Sequence, residues 1–588
     1  NLAGGAINVA TFNVPGSFNW SNGALNITTG GLTVGGGGLL GSNVTLNSGQ
    51  TLSVSGPNGS LTITGTLNLN GGTINASIFN NSGTFNWTTG NFNFLNNLTI
   101  GQGGPLGSLV TLNNGQSLGV TNQGGVLSVN GVLNLVGTSS VLSVSEDEAV
   151  GNLSNGCIFQ SSGTNYPDDL YVGAQAGATG TYTLSGNGAI GAANVEVGSS
   201  GTGIFNQSGG TNYSDFFSVG DGAGSIGTYT LSGTGTLTVT AFTEYGFAEF
   251  IGRNGLGNFI QNGGLNNAGA IYLGDNSGST GTYTLSGGIV ITSNAYVGGG
   301  TGPFSSPAPG GTGVLTIRGV GIFNCAGTLT VYNAPGTAVN VCGGMLNAGS
   351  LQLLGSYNQS GGMATFSQIT DSGTMTITGG ITTLTAGAGA SQIGGLVMGS
   401  QGKLDLTNNS LTINFGSPAN DPAAAITHDL ASGYNGGTWT GTAGIISTSI
   451  TSGSPTLSLG YADGNSDFGT AAGPNQIMVK YTLAGDANLD GFVNFADLVA
   501  VIQNFNKAGT DWAHGNFGYG VATNFFDLVA VVQNFNKLLP PPSDSAIQLG
   551  NTTFPLVAPT DVQLPEPCIA ATAIALGLLA RRRRRAVQ

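Results

Sequence analysis

Oxygen-bearing side chains recur at a distinctive spacing through one twelve-residue stretch, Asp486–Asp497. Asp486, Asn488 and Asp490 hold positions 1, 3 and 5, Gly491 holds position 6, Asn494 position 9 and Asp497 position 12. That spacing wraps a short loop around a point. Asp486, Asn488 and Asp490 would contribute side-chain oxygens, Phe492 its carbonyl, Asn494 a contact through water, and Asp497 the closing carboxylate. Hard oxygens in that number replace part of a calcium ion's hydration shell, so the loop reads as a Ca2+ site. A second copy follows in eroded form. Counting back from Asp527 puts Asn516 at position 1, Gly518 at 3, Gly520 at 5 and Val521 where glycine belongs; of the later positions, Asn524 and Asp527 keep ligand character. With so little charge in the second loop, one calcium is expected and not two.

Each loop needs an element to hold its last ligand. After Asp497, the apolar residues Leu498, Val501, Ile502 and Phe505 fall on one face of a helix, and Leu528, Val531, Val532 and Phe535 repeat the pattern after Asp527. Two loop-plus-helix units without leading helices resemble a type I dockerin, which places the module at residues 483–537. The resemblance implies a cohesin-like module as partner. The residues alone leave a second reading open, in which the two helices pair into a small cap.

The rest of the chain is organised around a repeated phrase. Gly227-Thr-Tyr-Thr-Leu-Ser-Gly233 occurs also at Gly180–Gly186 and Gly281–Gly287, interleaved with Phe205-Asn-Gln-Ser-Gly-Gly210, Phe259-Ile-Gln-Asn-Gly-Gly264 and Tyr357-Asn-Gln-Ser-Gly-Gly362. Polar and apolar residues alternate with the period of a strand. The phrases recur at roughly two dozen residues, the mark of a repeat array. Residues 1–402 therefore read as a parallel β-solenoid, an all-β rod on the order of 100 Å long at one strand spacing per turn. Aromatic side chains at matching positions stack inside such a rod; exposed stacks would grip sugar rings instead. Glu146-Asp147-Glu148 and Asp168-Asp169 read as solvated corners. Cys325 and Cys342 are either bridged across adjacent turns or two buried free thiols. The phrases resemble the autotransporter-associated β-strand repeats of bacterial surface proteins, a resemblance that implies architecture and not activity.

Composition narrows the function. The 588 residues carry a net charge of −14, are 6% charged, and before Lys403 include no Lys or His and two Arg, Arg253 and Arg318. Phosphates could not be neutralised by such a surface, so no nucleic acid is expected as partner. Lyase chemistry lacks its base and hydrolysis its convergent carboxylates, so no enzymatic activity is expected. A carbohydrate-binding or carbohydrate-active rod, part of a polysaccharide-degrading assembly, is the alternative. His428 and His514 lack metal-ligand spacing.

Residues 403–482, with Trp439 and more charge, read as a β-rich cap over the open end of the array, as terminal repeats require, and are similar to a module of planctomycete-type surface proteins. Leu538-Leu-Pro-Pro-Pro542 starts a linker that runs to residue 563. The tail 564–588 combines Pro565-Glu566-Pro567, an apolar run Cys568–Ala580 read as a helix, and Arg581, Arg582, Arg583, Arg584 and Arg585. As a helix the run is about 20 Å long, short of a hydrocarbon core of about 30 Å, and the arginines would hold it at the inner face. This order resembles a PEP-CTERM sorting signal. The resemblance implies transient membrane anchoring, processing by an exosortase-type membrane transpeptidase, and release to the cell surface or an exopolysaccharide matrix. Asn1–Asn8 already reads as repeat material, so a missing N-terminal piece is expected.

Overall fold

The computed structural model describes residues 1–13, 17–239, 248–300, 308–451, 457–466 and 471–539. Contacts divide the chain into two units, Asn1–Leu539 and Pro540–Gln588. The second unit lies outside the described residues, and with it nearly all of the linker and the whole sorting tail, Pro565–Pro567 and Arg581–Arg585 included. The described part is mostly β, with three α-helices: α1 (Ala423–Tyr434), α2 (Phe495–Asn504) and α3 (Phe525–Asn534). No helix among the described residues is long and apolar enough to cross a membrane.

Period-two alternation decides which side chains go inside. In the strand Ile226–Leu231, Tyr229 and Leu231 are buried while Thr228 and Thr230 face outward. Tyr182, Phe205, Tyr229, Phe259 and Tyr283 are successive Cα partners on parallel-paired strands. Their buried rings stack at centroid distances of 4.8, 4.8, 5.0 and 4.5 Å. That is the separation of neighbouring strands, so one phrase of sequence, which carries two strands such as Thr179–Leu184 and Ala189–Val197, advances the column by one strand spacing, here termed a rung. The column runs on through Leu315, Val339, Tyr357 and Met375.

Glycine is required where rungs turn. Gly198 has a φ of 73°, and a Cβ there would stand 2.5 Å from the Ile226 carbonyl oxygen. On the facing rung a Cβ at Gly227 would stand 2.1 Å from the Val197 oxygen. Neither approach leaves room for a side chain.

Asparagine owes its abundance to the outer faces. Asn86 donates to Asn68 at 2.8 Å, Asn93 to Asn75 at 2.9 Å, Asn347 to Asn324 at 2.9 Å and Asn358 to Asn340 at 3.0 Å. Such ladders satisfy polar groups without charge. Glutamine does the opposite. The Gln of the Asn-Gln-Ser-Gly-Gly phrase points inward, and Gln160, Gln207, Gln261 and Gln359 are all buried. Gln207 Nε2 donates to Gly210 O at 3.1 Å and to Thr236 O at 3.0 Å on the next rung, clamping two rungs through the core.

Three details depart from the sequence reading. Glu146-Asp147-Glu148 is not a simple solvated corner: the pairing register breaks between Val144 and Asp147, but the triplet lies inside the strand Val141–Val150 with Glu148 fully buried, and Asp168-Asp169 likewise lies half-buried inside Thr164–Val172. Cys325 and Cys342 are both free, one buried and the other exposed. They stand opposite Ala348 and Gly361 respectively, so their register keeps them apart. Residues 403–482 are also not made of strands alone. The α1 helix follows Pro422, buries Ile426 and Leu430, and passes so near the strand Gly444–Ile446 that a Cβ on Gly433 would stand 1.8 Å from Ile445 O. Here parallel pairing ends. The strand Ser410–Asn414 pairs in parallel with Ala390–Ile393 on one side and antiparallel with Gln476–Leu483 on the other, which pairs antiparallel with Leu457–Asp463.

Candidate metal centre

The strand Gln476–Leu483 delivers the chain to the first loop, and α2 carries it away. Asp486 is fully buried. Its carboxylate accepts from the Thr482 hydroxyl, from Gly491 N at 2.9 Å and from Asp490 N at 3.2 Å. Asn488 Oδ1 accepts from Asp490 N at 3.0 Å, and Asp490 Oδ1 from Phe492 N at 2.8 Å. Asp497 closes the loop: Oδ1 accepts from Ala487 N and Oδ2 from Asn494 N, both at 2.8 Å. Asn494 in turn caps α2 by accepting from Ala496 N at 2.7 Å. Leu489 (φ 61°) and Gly491 (φ 86°) supply the bends. All six expected positions therefore belong to one hydrogen-bonded frame.

The frame concentrates negative charge. Burial pushes the Asp486 carboxyl up to about 6, and the charges of Asp497 and Asp490 add to it, against the hydrogen bonds from Thr482 and Gly491. Burial also raises Asp497, with Asp490 adding. Among the described residues no group of three or more His, Cys, Asp or Glu side chains lies together as a metal cluster. Amide and carbonyl oxygens, which complete an oxygen shell, would therefore have to come from Asn488, Asn494 and Phe492.

The second loop has the same frame with a different filling. Asp527 accepts from Phe517 N at 2.7 Å and from Asn524 N at 2.8 Å, and Asn524 caps α3 by accepting from Phe526 N at 2.9 Å. At the first position, however, Asn516 acts as a cross-link. Its Nδ2 donates to Thr510 O at 2.9 Å and to Gly520 O at 2.7 Å, while its Oδ1 accepts from Gly520 N at 3.0 Å. Val521, in the glycine position, has no positive φ and is 89% exposed.

The halves lock together reciprocally. A Cβ on Gly485 would meet Val531 Cα of α3 at 2.9 Å, and one on Gly515 would meet Val501 Cα of α2 at 2.9 Å. Trp512, fully buried, donates from Nε1 to Asp486 O at 2.7 Å, and Asn534 Nδ2 donates to Ala484 O at 2.7 Å. The Tyr519 hydroxyl donates to Leu459 O, fastening the second loop to the cap strands. Sequence spacing singled out none of Thr482, Trp512, Tyr519 or Asn534. Their only signal was proximity to the loops.

Each expected helix face is split by the packing. Val501 and Val531 are buried and Leu498 and Leu528 half-buried. Ile502 (59% exposed), Val532 (64%), Phe505 and Phe535 are left exposed, together with Phe495 and Phe525. His428 and His514 each contact a carboxylate of their own segment, Asp429 and Asp511.

A second cluster lies on the outer face of the rungs. Phe250, Tyr272 and Tyr296 stack at 4.9 and 4.7 Å. The Arg253 guanidinium lies 5.3 Å from the Phe216 ring centre and 5.2 Å from that of Phe250, and bonds Asp221 at 3.2 Å. Nearby, burial pushes Glu196 up to about 7, opposed by the Ser199 hydrogen bond, with Asp221 and Asp169 adding. Phe250 and Tyr272 are buried and the stacked rings cover one another's faces, whereas a sugar needs a free face to lie on. A depression of about 600 Å³ in the cap is lined by Lys403, Trp439, Thr448 and Ile450, with no carboxylate, histidine or thiol among the described residues of its wall. No family model, curated protein or solved structure matches the chain.

Proposed function

We propose that this chain is a parallel β-solenoid serving outside the cell as a non-enzymatic structural, adhesive or matrix-associated protein, with a calcium-ordered, dockerin-like module at its C-terminal end. One observation carries the reading: the rungs bury their aromatic and glutamine side chains in continuous columns and turn neutral amide ladders outward. Such a surface has hydration and length to offer and little acid–base chemistry.

Calcium enters through the first loop. Asp486, Asn488, Asp490, the Phe492 carbonyl, Asn494 and Asp497 would hold it, and the ion would supply the positive charge that three neighbouring carboxylates lack. With the loop ordered, α2 and α3 would present Phe495, Ile502, Phe505, Phe525, Val532 and Phe535 to a cohesin-like module. The tail, through Pro565-Glu566-Pro567 and the Arg581–Arg585 block, would be read by an exosortase-type transpeptidase after transient membrane anchoring. Exopolysaccharide is then the natural surrounding of the rod.

Two experiments test this. Purified full-length protein incubated with pectin, alginate or xylan should release no product; turnover abolished by a single carboxylate substitution overturns the non-enzymatic reading. Mass spectrometry of the mature surface protein should find the tail removed, and a C-terminus at Gln588 would refute the sorting step.

A further inference from the structure

Glu148 and Glu249 are fully buried among the rungs. They stand in a column of otherwise apolar partners, Glu148 between Leu127 and Leu170, and Glu249 between Phe217 and Ile271. Each is joined to an asparagine and, beyond it, to the tyrosine and glutamine of the repeat. Gln160 Nε2 donates to Gly163 O and Ala189 O, both at 3.0 Å. The Tyr182 hydroxyl donates to Gln160 Oε1 at 2.5 Å, and Asn165 Nδ2 donates to the Tyr182 oxygen at 3.1 Å and to Glu148 Oε1 at 3.0 Å. Every donor in the chain of bonds is then committed. Two buried acceptors remain without a partner, Glu148 Oε2 and Asn165 Oδ1.

The second site repeats this bond for bond. Gln261 Nε2 donates to Gly264 O (3.3 Å) and Ile289 O (3.1 Å), and the Tyr283 hydroxyl to Gln261 Oε1 (2.5 Å). Asn266 Nδ2 donates to the Tyr283 oxygen (3.1 Å) and to Glu249 Oε2 (2.8 Å). The acceptors left over are again one from each partner, Glu249 Oε1 and Asn266 Oδ1. Buried acceptors facing no donor are costly. One proton on the carboxyl cures both deficits, because a carboxylic acid and a primary amide joined by one N–H···O bond can close a ring with the reciprocal O–H···O bond.

We propose that Glu148 and Glu249 are held as neutral carboxylic acids in cyclic acid–amide pairs with Asn165 and Asn266, making the surrounding rungs proton-dependent. A third asparagine of the same column, Asn212, donates to the Tyr229 hydroxyl at 3.3 Å but has Val195 at the glutamate's place, so its rung has nothing to titrate there. The titratable groups facing the pairs are Tyr182 at Glu148, and Tyr229 and Tyr283 at Glu249; burial keeps all three hydroxyls neutral. No cation among the described residues forms an ion pair with either glutamate. Burial pushes both carboxyls up to about 8, against an ordinary value of 4.5. A folded-state value above the unfolded one gives stability that is complete below pH 4.5 and is lost as pH rises toward 8.

The test compares full-length wild-type protein with E148Q/E249Q, in which an amide N–H replaces each acid O–H and cannot ionise. Infrared spectra at about pH 6 should show carboxylic-acid carbonyl absorption that is stronger in the wild type than in the variant, where Glu196 and Asp486 still contribute. The wild-type unfolding midpoint should fall further between acid and alkaline pH than that of the variant. Identical infrared bands, identical pH slopes, or a variant that fails to fold at acid pH would each overturn the proposal.

Discussion

In the first half of the 483–537 module, Asp497 accepts the backbone N–H groups of Ala487 and Asn494 at 2.8 Å; in the second, Asp527 accepts those of Phe517 and Asn524 at 2.7 and 2.8 Å. Both asparagines cap their helices, and each helix packs on the glycine that precedes the other loop. With so much shared, the difference at the first position stands out. Asp486 brings a buried carboxylate into a loop with two more. Asn516 brings a neutral amide whose own N–H groups bond two carbonyls across the loop. The lesson is that the backbone frame and its filling separate: one frame closes around a buried carboxylate, the other on an amide cross-link.

Breaking the shared part should hurt both halves equally. Gly485→Ala and Gly515→Ala each force a Cβ to within 2.9 Å of a helix backbone, at residues with φ of 100° and 84°. Left-handed strain and overpacking together should cost about 3 kcal/mol in each case. Denaturant unfolding of the full chain measures this, and a large loss at one glycine alone would show that the reciprocal packing is not equivalent.

The different part is sharpened by exchanging its chemistry. Asn516→Asp removes the N–H donors to Thr510 O and Gly520 O and leaves a carboxylate among carbonyl oxygens. Calcium-free stability should fall by about 2 kcal/mol. No loss would mean that the amide cross-link is idle. The smallest effect expected is at the caps: Asn494→Ala and Asn524→Ala should each cost about 1 kcal/mol, matched between the halves when calcium is absent. With calcium present, Asn494→Ala should in addition weaken binding, and Asn524→Ala should leave it unchanged.

Much of this could be read from residue order. The alternation in Gly-Thr-Tyr-Thr-Leu and its recurrence placed Tyr182, Phe205 and Tyr229 in one column, because side-chain period and rung length are both set by backbone geometry. What escaped was the polar interior. Gln207 and Glu148 look like surface residues by type, and only the register that aims them inward beside Tyr229 or Asn165 reveals their partners. The Asn516 position was legible as a weakened ligand and not as a donor, since a sequence does not say which end of an amide faces the loop. Ile502 and Phe505 matched an apolar helix face, but a ten-residue helix packed on one neighbour buries only part of it.

The most direct test is a calorimetric titration of the full-length protein with calcium, alongside Asp490→Ala. A stoichiometry near one, abolished in the variant, is the expected result. A stoichiometry of two, or no heat at about millimolar calcium, would contradict the assignment of one charged and one self-satisfied loop.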